Sequence, residues 1–161
     1  MKERAILIDL DGTLVNNEQR ALAHLNRRKK NLNSTEIRWD EFFEKTIEFD
    51  QPNQWCMEIV ENFSKAGYKI VFLTGRMDTK TTGEATRKWL QMYLNPNISY
   101  ELIMRKEDDF RKNHQIKLEL LMNYILPKYD ILFSIDDILA NVEMFRTLGI
   151  PSMHCSDLGG H

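Results

Sequence analysis

The stretch AILIDLDGTL at residues 5–14 decides how this chain reads. It begins as a short apolar run and ends in two acids and Gly12, the pattern of a buried strand running into a turn. Asp9 and Asp11 are two residues apart, so in extended backbone both carboxylates point the same way. Two further runs behave alike. KIVFLT at 69–74 is stopped by Gly75, and ILFSI at 131–135 ends in Asp136 and Asp137. Shorter stretches at 101–104 and 153–155 are candidate edge strands.

The segments between these runs carry helical spacing. Trp55, Ile59, Phe63 and Ala66 mark one apolar face, closed by Gly67. Ala85, Trp89 and Met92 mark a second, ended by Asn95-Pro96. Ile116, Leu120, Leu121 and Tyr124 give a third, stopped by Pro127. Ile138, Val142, Phe145 and Leu148 give a fourth before Gly149. Strands alternating with helices predict an α/β fold: a doubly wound, mostly parallel sheet with helices on both faces. Residues 16–50 interrupt the alternation with a polar, Asn-rich stretch in which Trp39, Phe42, Phe43, Thr46 and Ile47 keep helical spacing. A small helical insertion packed on the core is expected there.

At 161 residues the chain is long enough for one domain with a single insertion and a core that needs no metal or disulfide staple. Twenty-two basic against 24 acidic residues give a formal charge of −2, which excludes a partner held mainly by bulk electrostatics. No apolar run approaches the length of a membrane span, and the start is too short in apolar residues for an export signal. Cys56 and Cys155 form no close-spaced metal or redox motif, so two reduced packing residues in a cytoplasmic protein are expected.

In a doubly wound sheet the ligand site lies beyond the carboxyl ends of the strands. Three polar clusters fall at such ends: Asp9/Asp11, Thr74-Gly75-Arg76 and Asp136/Asp137. One acidic cluster would read as a helix or turn cap. Two on one edge repel strongly unless a cation lies between them, and an all-oxygen donor set suits Mg²⁺. A metal, a hydroxyl, an Arg and Lys117, which lies between the Thr and the acid pair in chain order, together compose a phosphate site. The acids then supply a nucleophile and a proton-transfer group. A receiver-type reading of the same residue types fails on order, because here the acid pair comes last.

These motifs, in this order, resemble the haloacid dehalogenase superfamily of phosphotransferases: DLDGTL from Asp9, IVFLTGR through Thr74-Gly75-Arg76, then Lys117, then Ile135-Asp136-Asp137. A narrower resemblance is to the 3′-phosphatase domain of bacteriophage-type polynucleotide kinase. It is carried by Arg20, Thr86-Arg87-Lys88-Trp89, Met104-Arg105, Asp109, Arg111-Lys112, Lys117 and Val142-Glu143-Met144-Phe145-Arg146. Asn113 stands where that family usually has an acid, Thr74 where Ser is common, and Ile138 where Arg is common.

The resemblance implies that Asp9 attacks phosphorus and that Asp11 protonates the leaving alcohol and then activates water. It implies Mg²⁺ held by the Asp9 side chain, the Asp11 backbone carbonyl and Asp136, with Asp137 either a ligand or a support. Thr74, the Gly75 amide and Lys117 would hold the phosphoryl oxygens. Arg20, Arg76, Arg105 and Arg111 would contact the rest of a nucleotide or brace Asp109 and the acid pair. Residues 16–50 sit where the superfamily places a cap. Arg27-Arg28-Lys29-Lys30 on it reads first as a solvated helix end, with a nucleic-acid backbone contact as the alternative.

The implied substrate is a phosphorylated nucleic-acid end, with a nucleotide or another small phosphomonoester as runner-up and a catalytically silent binding domain third. No GxxxxGK[ST] is present, so a kinase or ligase would be a separate partner.

Overall fold

The structure, a computed structural model, describes residues 1–20, 22 and 47–155. Five parallel strands form the main sheet: β1 (Glu3–Ile8), β4 (Lys69–Met77), β5 (Tyr100–Arg105), β6 (Tyr129–Asp136) and β7 (Ser152–His154). Their order is β5-β4-β1-β6-β7. The chain winds outward from β1 first through β4 and β5, then returns to the other side of β1 for β6 and β7. The reversal leaves a crevice at the carboxyl ends of β4, β1 and β6, where this architecture places its ligands.

The alternation of side chains along the central strands builds two cores. Ile6, Ile8, Ile70 and Phe72 face one side, against Cys56, Met57 and Val60 of α1 (Gln54–Lys65) and Trp89 and Leu90 of α2 (Lys80–Tyr93). Ala5, Leu7, Val71 and Leu73 face the other, against Ile116 and Leu120 of α3 (Asn113–Leu120), a following π turn (Leu121–Ile125), and Phe145 of α4 (Leu139–Thr147). Both faces are thus covered, as a parallel sheet of continuous apolar strands demands.

Three helix faces differ in phase from the expected ones. In α1 the fully covered stripe is Cys56, Met57 and Val60, while Trp55, Ile59 and Phe63 pack at its margin. In α2 Met92 is exposed, and Thr82 and Thr86 share the buried stripe with Trp89 and Leu90. In α4 Val142 and Phe145 are buried, whereas Ile138 and Leu148 are exposed.

A two-stranded antiparallel ribbon was not anticipated. β2 (Val15–Asn16) pairs with β3 (Gln51–Pro52) in the register Val15 to Pro52 and Asn16 to Gln51. Pro52 therefore stands at the end of a strand. The ribbon joins the two ends of the 16–50 stretch. Trp39, Phe42, Phe43, Thr46 and Arg27-Arg28-Lys29-Lys30 lie outside the described residues; Ile47 is buried at the start of a 3₁₀ turn (Ile47–Phe49).

Leu7 is almost fully covered in the second core. Leu7→Ala is expected to cost about 2–5 kcal/mol, read as a lower urea midpoint with an unchanged slope.

Candidate active site

Asp9 follows β1 directly, and its amide donates to the Ile135 carbonyl at 3.1 Å, so the carboxyl ends of β1 and β6 are stitched together. The chain then turns sharply, with the Gly12 amide bonded to the Val15 carbonyl at 2.9 Å and the Val15 amide to that of Leu10 at 2.9 Å. Gly12 has φ +76°, and a Cβ there would collide with the Asp137 carboxylate. Backbone conformation and space both require glycine at this point. The turn brings Asp9 and Asp11 into the crevice while Asp137 closes over it.

Lys117 reaches the same place from α3. Its ammonium, almost fully buried, donates to Asp9 Oδ1 and to Asp136 Oδ2, each at 2.7 Å. Asp136 is oriented further by the Ile138 amide at 2.9 Å and by Asn141 Nδ2 at 3.0 and 3.1 Å from its two oxygens. Asp9, Asp136 and Asp137 each offer a carboxylate oxygen within 4.8 Å of one another. Three carboxylates around one ammonium leave two negative charges, which one divalent cation would balance, and the donors are all oxygen. The residues present therefore fit Mg²⁺. Burial pushes Asp9 well above the usual carboxylate range; Lys117 opposes this, and Asp136 and Asp137 reinforce it. Burial also raises Asp137, helped by Asp136. For Lys117, burial favours the neutral amine but is outweighed by Asp9 and Asp136, which hold it charged.

Asp11 belongs to a separate network. Arg76 donates to it through Nε at 2.8 Å and a terminal nitrogen at 2.7 Å, and Arg20 pairs with the same carboxylate. Both guanidiniums are buried, and Arg20 is held from behind by Asp50, with Nε at 2.9 Å from Oδ1. A second Arg20 nitrogen lies 2.8 Å from Asp50 Oδ2. Burial acting alone would raise Asp11, but Arg76 and then Arg20 overcome it and hold the group well below the usual carboxylate range. Two side chains of α2 complete the frame. Thr86 Oγ1 accepts from Arg76 at 3.1 Å, and Trp89 Nε1 donates to the Asp50 carbonyl at 2.9 Å.

β4 is not stopped by Gly75 as the sequence suggests but runs on to Met77, with a register shift against β5 after Thr74; Thr74 is buried, and its hydroxyl accepts from the Arg76 amide at 3.2 Å. Asn113, at the start of α3, lies against Gly75: a Cβ there would stand 2.7 Å from Asn113 Oδ1. A sequence model of the polynucleotide kinase PNKP phosphatase domain, one of the HAD phosphatases, matches residues 3–158. The chain belongs to this family.

Its relatives fit that assignment. A protein of Autographa californica nuclear polyhedrosis virus, assigned as a bifunctional polynucleotide kinase/RNA ligase, is 32% identical over 150 residues, covering 93% of this chain and 19% of its own. A class B acid phosphatase of Xenorhabdus bovienii is 35% identical over 79 residues, covering 48% of this chain and 32% of its own. A chain of the Pnkp1/Rnl/Hen1 RNA repair complex superposes with a TM-score of 0.72 at 28% identity, over 95% of this chain and 42% of that one. A haloacid dehalogenase-like hydrolase of Streptococcus pneumoniae shares the fold, with a TM-score of 0.64 at 16% identity over 94% and 84%. The chain thus spans a fifth of its viral relative and under half of the repair-complex chain.

Within this PNKP-type phosphatase domain the expected residues divide into groups. Asp9, Asp136, Asp137 and Lys117 converge, with Thr74 and Gly75 at the neighbouring strand end. Asp11, Arg20 and Arg76 join each other. Arg105 and Arg111 form an outer pair instead: Arg111 binds the Asp109 carboxylate through Nε at 3.0 Å and a terminal nitrogen at 2.6 Å, and Arg105 donates to the Asp109 carbonyl at 3.2 Å. The departures from the family pattern are explicable in place. Ile138 serves Asp136 through its backbone amide, which any residue but proline supplies, and Thr74 retains the hydroxyl that Ser would bring. Asn113 contributes a neutral amide whose Oδ1 is buried without a hydrogen-bond partner among the described residues.

Asp50, Thr86, Trp89 and Asn141 were not singled out as site residues from sequence. Only their distant partners reveal them, apart from Thr86 and Trp89, which lie in the segment that carried the family resemblance.

The Asp11 pairs have a signed consequence. The folded-state value of Asp11 lies below its ordinary 3.8, so its contribution is present above that pH and lost as pH falls toward the folded value. Asp11→Asn is expected to flatten part of the stability loss seen on acidification below pH 3.8, measured by urea midpoints of both proteins across that range.

Proposed function

We propose that the chain is a Mg²⁺-dependent polynucleotide 3′-phosphatase that works through an aspartyl-phosphate on Asp9. The observation that carries this reading is the Lys117 ammonium at 2.7 Å from both Asp9 and Asp136, with Asp137 beside them and Thr74-Gly75 on the adjoining strand. Support comes from a carboxylate placed to act as nucleophile in an oxygen cluster that keeps two negative charges for a divalent cation to balance, beside groups suited to phosphoryl oxygens. Membership of the PNKP phosphatase family supports the nucleic-acid substrate.

Asp9, Asp136, Asp137 and the Asp11 carbonyl would hold Mg²⁺, which when bound neutralises carboxylate charge and polarises a phosphoryl oxygen. The residues of the chain do the rest. An Asp9 oxygen forms a bond to phosphorus as the bond from phosphorus to the 3′-oxygen breaks, and Asp11 gives its proton to that oxygen. Asp11 then takes a proton from water as the water oxygen attacks the aspartyl-phosphate, releasing inorganic phosphate and restoring Asp9. Thr74, the Gly75 amide and Lys117 stabilise the phosphoryl oxygens throughout.

Because Arg76 and Arg20 favour ionised Asp11, its acid role requires the entering phosphate to draw those guanidiniums toward itself. Asp50 keeps Arg20 in reach while this happens. Residues 16–50 act as a cap whose two ends meet at the β2–β3 ribbon, and a kinase or ligase activity would be supplied by other polypeptide. No helix among the described residues is long and apolar enough to cross a membrane, and we place the chain in the cytoplasm, that of the host if it is encoded by a phage.

A phosphate-release panel tests this reading with 3′-phosphorylated oligonucleotides, 5′-phosphorylated oligonucleotides and mononucleotides, in Mg²⁺ or EDTA. Release from 3′-phosphorylated ends that needs Mg²⁺ and vanishes in Asp9→Asn is expected. Equal or faster turnover of mononucleotides overturns the polynucleotide substrate, and activity retained in Asp9→Asn overturns the mechanism.

Metal binding has its own readout. Mg²⁺ at a hundredfold over its Kd is expected to stabilise the protein by about 2.7 kcal/mol, a rise of roughly 5–10 °C in Tm. Asp136→Asn should abolish that rise.

A further inference from the structure

The turn after Asp9 holds Thr13 at each of its polar groups. The Thr13 amide donates to the Leu10 carbonyl at 3.0 Å, and the Thr13 carbonyl accepts from Asn53 Nδ2 at 2.8 Å. Thr13 is fully buried, so its hydroxyl must find partners inside the protein. Two lie within reach among the described residues. Asp9 Oδ2 is 3.3 Å away, while Lys117 takes Asp9 Oδ1, and Cys155 Sγ is 3.5 Å away.

Cys155 comes from the other end of the chain. It follows β7, and its amide donates to the Asp136 carbonyl at 3.2 Å, which ties it to the crevice end of the sheet. Its sulfur also lies 3.7 Å from the Gly12 carbonyl. Proton count sets the direction of the contact with Thr13. The hydroxyl and the thiol have one proton each. A bond from the hydroxyl to a carboxylate is charge-assisted and therefore the stronger use of its proton, which goes to Asp9. The Thr13 oxygen is left as an acceptor toward Cys155, and the thiol is the donor. Burial pushes that thiol up to about 11 against the pull of the Thr13 hydrogen bond, so it keeps the proton it has to give. The reverse arrangement would have Thr13 donate to sulfur, a weak acceptor, at the expense of Asp9.

We infer that Cys155 and Thr13 are a relay of two positioning residues, thiol to hydroxyl to carboxylate, that fixes the plane of the Asp9 side chain. Lys117 holds one Asp9 oxygen and Thr13 the other, so rotation of the carboxyl group breaks one bond or both. A donor on the Thr13 oxygen polarises its hydroxyl and strengthens the bond to Asp9. This rests on the reading of Asp9 as the nucleophile, whose attack needs an oxygen lone pair aligned with phosphorus.

Infrared spectra of the full chain test the relay, because thiol S–H stretching falls where no other protein group absorbs. Cys155→Ser identifies the Cys155 band against that of Cys56. Thr13→Val removes the acceptor and is expected to move the Cys155 band to higher frequency. Asp9→Asn should move it part of the way, since a neutral amide polarises the hydroxyl less. If either variant leaves the band in place, the relay is overturned.

Hydrolysis of p-nitrophenyl phosphate in Mg²⁺ reads the consequence without requiring a polynucleotide. Cys155→Ala is expected to lower kcat roughly two- to tenfold at unchanged KM. Cys155→Ser, which keeps a donor, should recover most of that loss. In the Thr13→Val background Cys155→Ala should lower kcat no further, because the bond it removes is already gone. Equal losses in both backgrounds, or a loss that Cys155→Ser does not recover, make Cys155 a packing residue and overturn the proposal.

The two readings fail separately. A Cys155 band that shifts as expected, in a protein whose Asp9→Asn form still hydrolyses the phosphomonoester, keeps the relay and sinks Asp9 as nucleophile. Hydrolysis abolished by Asp9→Asn but indifferent to Cys155→Ala, with a band that does not move, does the reverse.

Discussion

A buried ammonium shared by two carboxylates from adjacent strands is the interaction on which the crevice depends. Lys117 enters from α3, on one face of the sheet, and meets Asp9 at the end of β1 and Asp136 at the end of β6. Without that charge, three acids gathered within a few ångströms would drive the strand ends apart or take up protons. With it, two negative charges remain, held in place by groups that do not themselves react. The Ile138 amide and Asn141 fix Asp136, the Gly12 turn admits Asp137, and the packing of α3 on the second core fixes the lysine. The sheet places the acids, but the helix behind it makes their proximity tolerable.

A second balance lies beside the first and has the opposite sign. Asp11 is surrounded by two guanidiniums, and Asp50 takes up part of the excess positive charge. The two carboxylates of the DLD motif therefore occupy different electrostatic surroundings although they are two residues apart. Asp9 is pushed toward protonation by burial and its acidic neighbours, and Asp11 is held as an anion by Arg76 and Arg20. Pairs of carboxyl groups driven apart in this way are where proton-transfer roles become distinct. The arginines expected to meet substrate are thus engaged with Asp11, and the same two side chains hold it ionised.

Much of this was legible in the sequence, for reasons that also explain what was not. The strands of the central sheet are covered on both faces, so they appear as uninterrupted apolar runs, and the acids that end them are conspicuous against such runs. The helix faces were read less well. Cys56, Thr82 and Thr86 carry little apolar signal, yet they are buried because they lie close to the sheet or bond into it, while Met92 and Leu148 carry strong signal and are exposed. Asp50 could not be found by spacing at all. Its partners are Arg20, thirty residues away, and Arg76, and only the folding back of the chain at the β2–β3 ribbon brings the three together. Asn141 is similarly silent, an ordinary helical Asn until Asp136 is placed opposite its amide.

The β2–β3 ribbon has a meaning for how such a domain can change. Two residue pairs and the Arg20–Asp50 ion pair join the two ends of the inserted stretch at the crevice. A segment tied off at its base can vary in length at little thermodynamic cost, since loop-closure entropy grows only with the logarithm of length. One of the ties, however, is itself part of the electrostatics around Asp11. The insertion is therefore committed at its root: an exchange that removed Arg20 or Asp50 would alter the electrostatic surroundings of Asp11 along with the length of the segment.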